Sequence, residues 1–303
     1  MVQLRRVDPA AFAWRATDGP AAEVRRIAAA ATAHDGTDAL NERAMLQLTY
    51  RGLRDAALWL DDGGFALRHG DILDLAVHPD SRRRGIGSAL ARAALAGVDS
   101  PVNAWSHGDH PDAAGIAAAV GLARERDLWV MRRPTSLALP GLTLPAGVLI
   151  RSYTPADEEK LLQVNAAAYA QHPDQGHLSV EEFRERVAEP WFDAAGLFLA
   201  VPDDEPSASE EIRLLGFHWT KVHRDKRPAY GEVYVVAVNP KAAGRGLGTV
   251  LNIVGLEHLR ALGLGEVILY LDGDNAPAIA DYEGLGFERL RAEVQYAGTP
   301  HRG

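Results

Sequence analysis

Two stretches of this chain bring together the residue types that hold phosphate, at the same spacing. Residues 76–87 end in Arg82, Arg83, Arg84, Gly85, Ile86 and Gly87, and residues 237–248 end in Ala243, Gly244, Arg245, Gly246, Leu247 and Gly248, 161 positions later. Each phrase follows an apolar run suited to a strand, Ile72 to Val77 and Val233 to Val238. Each also opens a helix-period pattern, with Ile86, Leu90 and Leu95 in one and Leu247, Val250, Leu251 and Val254 in the other. Glycine lets the backbone approach an anion, and the first N–H groups of a helix have no partner within it. The helix dipole favours negative charge there, and arginine adds a charged fork. The duplication predicts two related domains.

Size and composition agree. At 303 residues the chain suits two domains of about 150 residues, each with its own core. A net charge of −9 argues against a general nucleic-acid binder, so clusters such as Arg82-Arg83-Arg84 suit a small phosphorylated ligand. No apolar run approaches the roughly 20 residues needed to span a bilayer, and the start carries no apolar signal core. A cytoplasmic monomer is expected. The absence of cysteine excludes disulfides, thiolate metal sites and a covalent intermediate on a protein sulfur. Direct transfer in a ternary complex is then the simplest chemistry for a transferase. His172, His218 and His223 lack metal-ligand spacing, so no metal site is expected.

The elements that must position the two loops recur in order. The first half predicts helices over 21–33 and 41–48, strands over 57–61, 64–68 and 72–77, and the loop helix to about 96. A strand at 102–105, a helix at 111–120 and a strand at 128–132 follow. Pro134, Pro140, Gly141, Pro145 and Gly147 mark a linker over 134–147. The second half then predicts a strand at 148–153, helices at 155–169 and 180–187, and strands at 197–201, 212–221 and 232–238. The loop helix 246–262, a strand at 267–271, a helix at 276–283 and a strand at 287–296 complete it. Pro202–Glu211 reads as a solvated hairpin loop. The fold class expected is α+β (mixed α/β): two tandem domains, 1–133 and 148–303, each a mostly antiparallel central sheet flanked by helices.

A second feature follows the second loop at a fixed distance: Asn275, Ala276, Tyr282, Leu285, Gly286 and Phe287. With the loops, this segment resembles the GNAT superfamily of N-acetyltransferases, and both halves carry the resemblance. The tandem arrangement narrows it, as do the segments 33–36, 172–176, 191–200, 216–223 and 231–236. They are similar to those of the tandem members that acetylate the cysteinyl amine of Cys-GlcN-Ins (desacetylmycothiol).

The resemblance implies acetyl-CoA as cosubstrate and roles for particular residues. Tyr282 would protonate the departing thiolate. Aligning Gly121 with Gly286 puts Ala117 at its place in the first half, and His110 faces Asn275. The first half is therefore expected to bind acetyl-CoA without catalysing. Glu232 would accept the amine proton, and its first-half counterpart is Asp71. Main-chain groups of Val236, Ala237 and Val238 would hold the pantetheine arm and the developing oxyanion. Gly244, Arg245, Gly246, Leu247, Gly248, Thr249 and Asn275 would complete the coenzyme site. Ala243, where an arginine or glutamine is usual, would weaken it. The first-half set is Leu75, Ala76, Val77, Arg83, Arg84, Gly85, Ile86, Gly87 and Ser88. Glu42, Asp174, Lys221, Glu232 and Tyr270 would bind the acceptor. Two other readings stay open: the same chemistry on another amine (an aminoglycoside, a polyamine or a protein N-terminus), or a non-catalytic acyl-CoA sensor.

Overall fold

The computed structural model of the chain describes residues 2–172, 176, 178–203 and 213–301. Asp174 and most of the expected 202–211 loop lie outside the described residues. In chain order the elements are β1 (Arg5–Arg6), α1 (Gly19–Asp35), α2 (Glu42–Leu46), β2 (Ala56–Asp61), β3 (Gly64–His69) and β4 (Ile72–Val77), then α3 (Ile86–Leu95), β5 (Val102–Ser106), α4 (Pro111–Ala118) and β6 (Ala123–Pro134). The pattern then repeats with β7 (Val148–Ser152), α5 (Glu158–Ala168), α6 (Val180–Val187), β8 (Leu197–Pro202), β9 (Gly216–His223) and β10 (Tyr230–Val238). It ends with α7 (Leu247–Ala261), β11 (Glu266–Asp272), α8 (Ala276–Gly284) and β12 (Glu288–Gly298).

Two compact units result. One gathers Met1–Trp129, Asp272–Asp274 and Arg291–Gly303; the other gathers Val130–Leu271 and Asn275–Leu290. This differs from the contiguous division expected around residues 134–147, because the end of the chain, expected in the second domain, belongs to the first unit. The reason is apolar burial: Val294 and Tyr296 pack into the core around Leu90, Ala94 and Val102.

In the first unit β1–β2, β2–β3 and β3–β4 pair antiparallel, and β12 pairs antiparallel with β5 from Val294↔Ser106 to Gly298↔Val102. The β4–β5 pair is parallel and short, Ile72↔Asn103 and Leu73↔Ala104. Helix α1 begins at a proline-bearing first turn and ends at Gly36, whose φ of 74° only glycine adopts freely. Its Ala21, Val24, Ile27 and Ala31 recur at helical spacing and are buried.

The second unit repeats this plan. Its β7–β8, β8–β9 and β9–β10 pairs are antiparallel, and β10–β11 is parallel over Gly231↔Val267 to Val233↔Leu269. Ser179 and Glu182 form a capping box at the start of α6. Phe183, Phe192, Trp191 and Tyr234 close around the fully buried Trp219.

Candidate active site

The two glycine loops have the same backbone. Arg83 and Gly85 have φ of 61° and 81°, and Gly244 and Gly246 have 78° and 72°. The N-caps of α3 and α7 are Gly85 and Gly246, and neither places a side chain on the first turn. The first helical bonds run from Ala89 to Gly85 and from Val250 to Gly246. The N–H groups of Ile86, Gly87 and Ser88, and of Leu247, Gly248 and Thr249, therefore have no intrahelical acceptor. Both loops can hold a phosphate anion.

The loop arginines differ from one another in their contacts. Arg82 forms a two-pronged pair with Asp35, at 2.8 and 2.6 Å, and its Nε–H donates to the Val77 carbonyl. That guanidinium holds the Asp35 carboxyl down at about 2. Arg83 reaches Asp112 at 2.5 Å, Arg84 is exposed, and Arg245 donates to the Ala146 carbonyl. Ala243 ends the short turn before its loop with no polar side chain.

Both loop-bearing strands leave a main-chain edge open. Asn239 N–H bonds the Leu215 carbonyl, so alternation bonds Ala237 and Val235 to β9 and turns the groups of Val236 and Val238 the other way. On that side pairing with β11 has ended at Val233, and a bulge between Val233 and Val235 bends the strand. Likewise His78 N–H bonds Gly63, and Leu75 and Val77 turn their backbone groups away from β3, beyond the last β4–β5 pair. An extended chain such as pantetheine can add at either edge. In the first unit the Val77 carbonyl already serves Arg82. In the second, the Tyr169 hydroxyl donates to the Val236 carbonyl at 2.6 Å.

Tyr282 and Ala117 hold equivalent backbone positions. The Phe287 N–H returns to the Tyr282 carbonyl as the Leu122 N–H returns to Ala117, and Gly286 and Gly121 share a φ of 86°. Burial pushes the Tyr282 phenol up to about 12, with Asp281 adding to it and a hydrogen bond from Asn252 opposing it. It stays protonated at neutral pH. The counterparts Asn275 and His110 both cap their helices, accepting from Ala278 and Asp112 N–H.

Glu232 is a buried carboxylate, 6% exposed, with Oε2 2.5 Å from His223 Nε2. His223 in turn stacks on Tyr230 at 4.4 Å. Its counterpart Asp71 is exposed and accepts from the Asn103 amide. The carboxylate thus separates the two halves by environment, which the residue type alone did not. Lys221, directly opposite Glu232 in the β9–β10 register, is buried, with Nζ 4.4 Å from the Trp191 ring and 5.1 Å from Tyr234. Tyr270 is exposed on β11, and Glu42 is half-buried at the first position of α2.

The first unit holds a cleft of about 430 Å³, bounded by its glycine loop, the open edge of β4, Asp35, His110, Ala91 and Ala117. Among the described residues no cluster of three or more His, Cys, Asp or Glu side chains could hold a metal ion. No helix there is long and apolar enough to cross a membrane. Residue types alone did not single out His223, Tyr169 or Asn252. The first lies nine residues from its partner across a hairpin, and the other two act on residues from other elements.

Fold and site together define an acyltransferase built as two related units, each with an anion-binding loop beside an open strand edge. The profile of the acetyltransferase (GNAT) family matches residues 52–101 and 163–287, and the chain belongs to that family. It is 48% identical over 288 residues to a mycothiol acetyltransferase of Nocardioides sp., covering 91% of this chain and 96% of the relative. A mycothiol acetyltransferase of Nocardia farcinica is 46% identical, covering 93% and 95%. Among solved structures, a GCN5-related N-acetyltransferase from Sphaerobacter thermophilus superposes with a TM-score of 0.65 at 21% identity, covering 98% of this chain and 95% of that one. A tandem GNAT protein from the clavulanic acid biosynthesis pathway gives 0.58 at 22%, covering 80% and 82%. These two show the shared fold.

Proposed function

We propose that this acetyltransferase moves the acetyl group of acetyl-CoA to the cysteinyl amine of Cys-GlcN-Ins, yielding mycothiol and free CoA, and that the second unit does so. The observation that carries this is identity of 41–48% to mycothiol acetyltransferases over 91–94% of the chain. The chemistry rests on the asymmetry of the repeat, since Tyr282 and buried Glu232 occur together in one copy.

The loop 243–249 takes the pyrophosphate on N–H groups, and the pantetheine arm lies along Val236 and Val238. Glu232 accepts a proton from the ammonium, and the amine attacks the thioester carbonyl. The N–H groups turned out at the β10 bulge receive the oxyanion. The nitrogen sheds its second proton to solvent as collapse breaks the C–S bond, the electron pair stays on sulfur, and the Tyr282 hydroxyl gives its proton to that sulfur. No covalent enzyme intermediate forms. Lys221 and Tyr270 are assigned to the acceptor. In the first unit the same cleft holds acetyl-CoA without turnover, because Ala117 has no proton to give. On this reading the reaction is assigned to the cytoplasm.

The test mixes purified protein, acetyl-CoA and Cys-GlcN-Ins and follows CoA and the N-acetyl product together. Stoichiometric appearance of both supports the proposal. Brisk acetylation of an aminoglycoside or polyamine, with none of Cys-GlcN-Ins, overturns the acceptor.

A further inference from the structure

Asn252 lies on α7 among buried apolar neighbours, Leu251, Ile253 and Leu256. It is only 7% exposed, and its Oδ1 has no hydrogen-bond partner among the described residues. An amide in such a place is costly unless its other end is used. The Asn252 amide lowers the pKa of the Tyr282 phenol, the direction in which a donor to the phenolic oxygen acts.

The internal repeat supplies a control. The 161-residue offset that matches the loops and their helices sets Ala91 against Asn252. The matching glycine turns set Ala117 against Tyr282. Ala91 and Ala117 both line the first unit's cleft, so these two positions face one space in this fold. Both members of the pair are alanine in the copy assigned no catalysis, and both are polar in the copy that catalyses.

We propose that Asn252 is a positioning residue for Tyr282: its Nδ2–H donates to the phenolic oxygen, fixes the ring, leaves the phenol's own proton free to be given, and stabilises the phenolate left behind. The inference rests on the assignment of Tyr282 as the acid. In that step the O–H bond breaks as the S–H bond forms, and the phenolate regains a proton from solvent after CoA leaves. The titratable groups coupled to Tyr282 are Asp281 on its own helix and Tyr169 beyond the end of α5, and neither is substituted in the variants below.

Two measurements test this. Asn252→Ala should lower kcat roughly 10-fold, the order expected for losing one hydrogen bond to a developing charge, with the KM for acetyl-CoA within about twofold. In a Tyr282→Phe background the same change should cost nothing further, and Asn252→Ser, which keeps a donor, should recover most of the loss. Losses that multiply in the double variant overturn the proposal, as does a loss confined to KM. The second measurement places 3-fluorotyrosine at position 282 and follows its ionisation by 19F NMR. Asn252→Ala should raise the midpoint by roughly half to one pH unit, and an unmoved midpoint overturns the proposal. This readout uses no acceptor, so wild-type protein that fails to acetylate Cys-GlcN-Ins sinks the functional proposal and leaves this one to be judged separately.

Discussion

Tyr282 differs from its counterpart Ala117 in residue type, whereas buried Glu232 differs from exposed Asp71 chiefly in what surrounds it. A phenol held up at about 12 by burial keeps its proton at neutral pH, so the proton is in place when the thiolate departs. Tyr282→Phe should therefore lower kcat by roughly 10²–10⁴-fold with little change in acetyl-CoA KM. Normal kcat in steady-state turnover would remove the acid role. His223 presents the Glu232 carboxylate through a 2.5 Å contact and is itself stacked on Tyr230. His223→Phe keeps a ring for the stack and drops the donor. A kcat loss of about 10-fold is expected, and none in a Glu232→Gln background. Losses that multiply in that double variant would assign His223 a role apart from Glu232.

At the scale of elements the two loops pose a conformational question with a measurable answer. Arg83 sits at φ 61°, where the other copy has Gly244 at 78°. A left-handed conformation costs a side-chain-bearing residue roughly 1 kcal/mol, and the exposed Arg83–Asp112 pair offsets little of it. Arg83→Gly should thus leave stability unchanged or raise it by up to about 1 kcal/mol, and Gly244→Ala should lower it by a similar amount. Denaturant midpoints at constant m decide this. Most elements were legible, because the strand–loop–helix phrase and helical periodicity depend on local spacing. The helix over 111–120 ends instead at Ala118, and that over 41–48 changes at Gln47 into a π turn, since helix ends follow tertiary packing. The pairing of Arg82 with Asp35 spans 47 positions, and no local rule reaches it.

Over the whole molecule, two carboxylates tie separate segments together and set an acid response. Arg82 holds Asp35 at about 2, and Arg151 holds Asp157 at about 2 with Thr154 assisting. Both values lie below the ordinary aspartate value of about 3.9. The stability they contribute is fully present above that value and is lost as pH falls through about 2. Between pH 4 and 2 the wild type should lose stability more steeply than Asp35→Asn, and equal slopes in urea titrations would remove this linkage. The chain's end gives a stronger test. Residues 291–303 belong to the first unit, where Val294 is fully buried and lies opposite Ser106 on β5. Truncating that valine empties space among Leu90, Ala94 and Val102. Val294→Ala should cost about 2 kcal/mol. It should lower amide protection in β5, whose antiparallel partner is this strand, and in the parallel pair at Ile72 and Leu73 that keeps the β4 edge in place. The first unit's coenzyme occupancy should then fall before its helices unfold. Hydrogen exchange with and without acetyl-CoA reads both effects, and unchanged protection in β5 would show that the tail contributes nothing to this core.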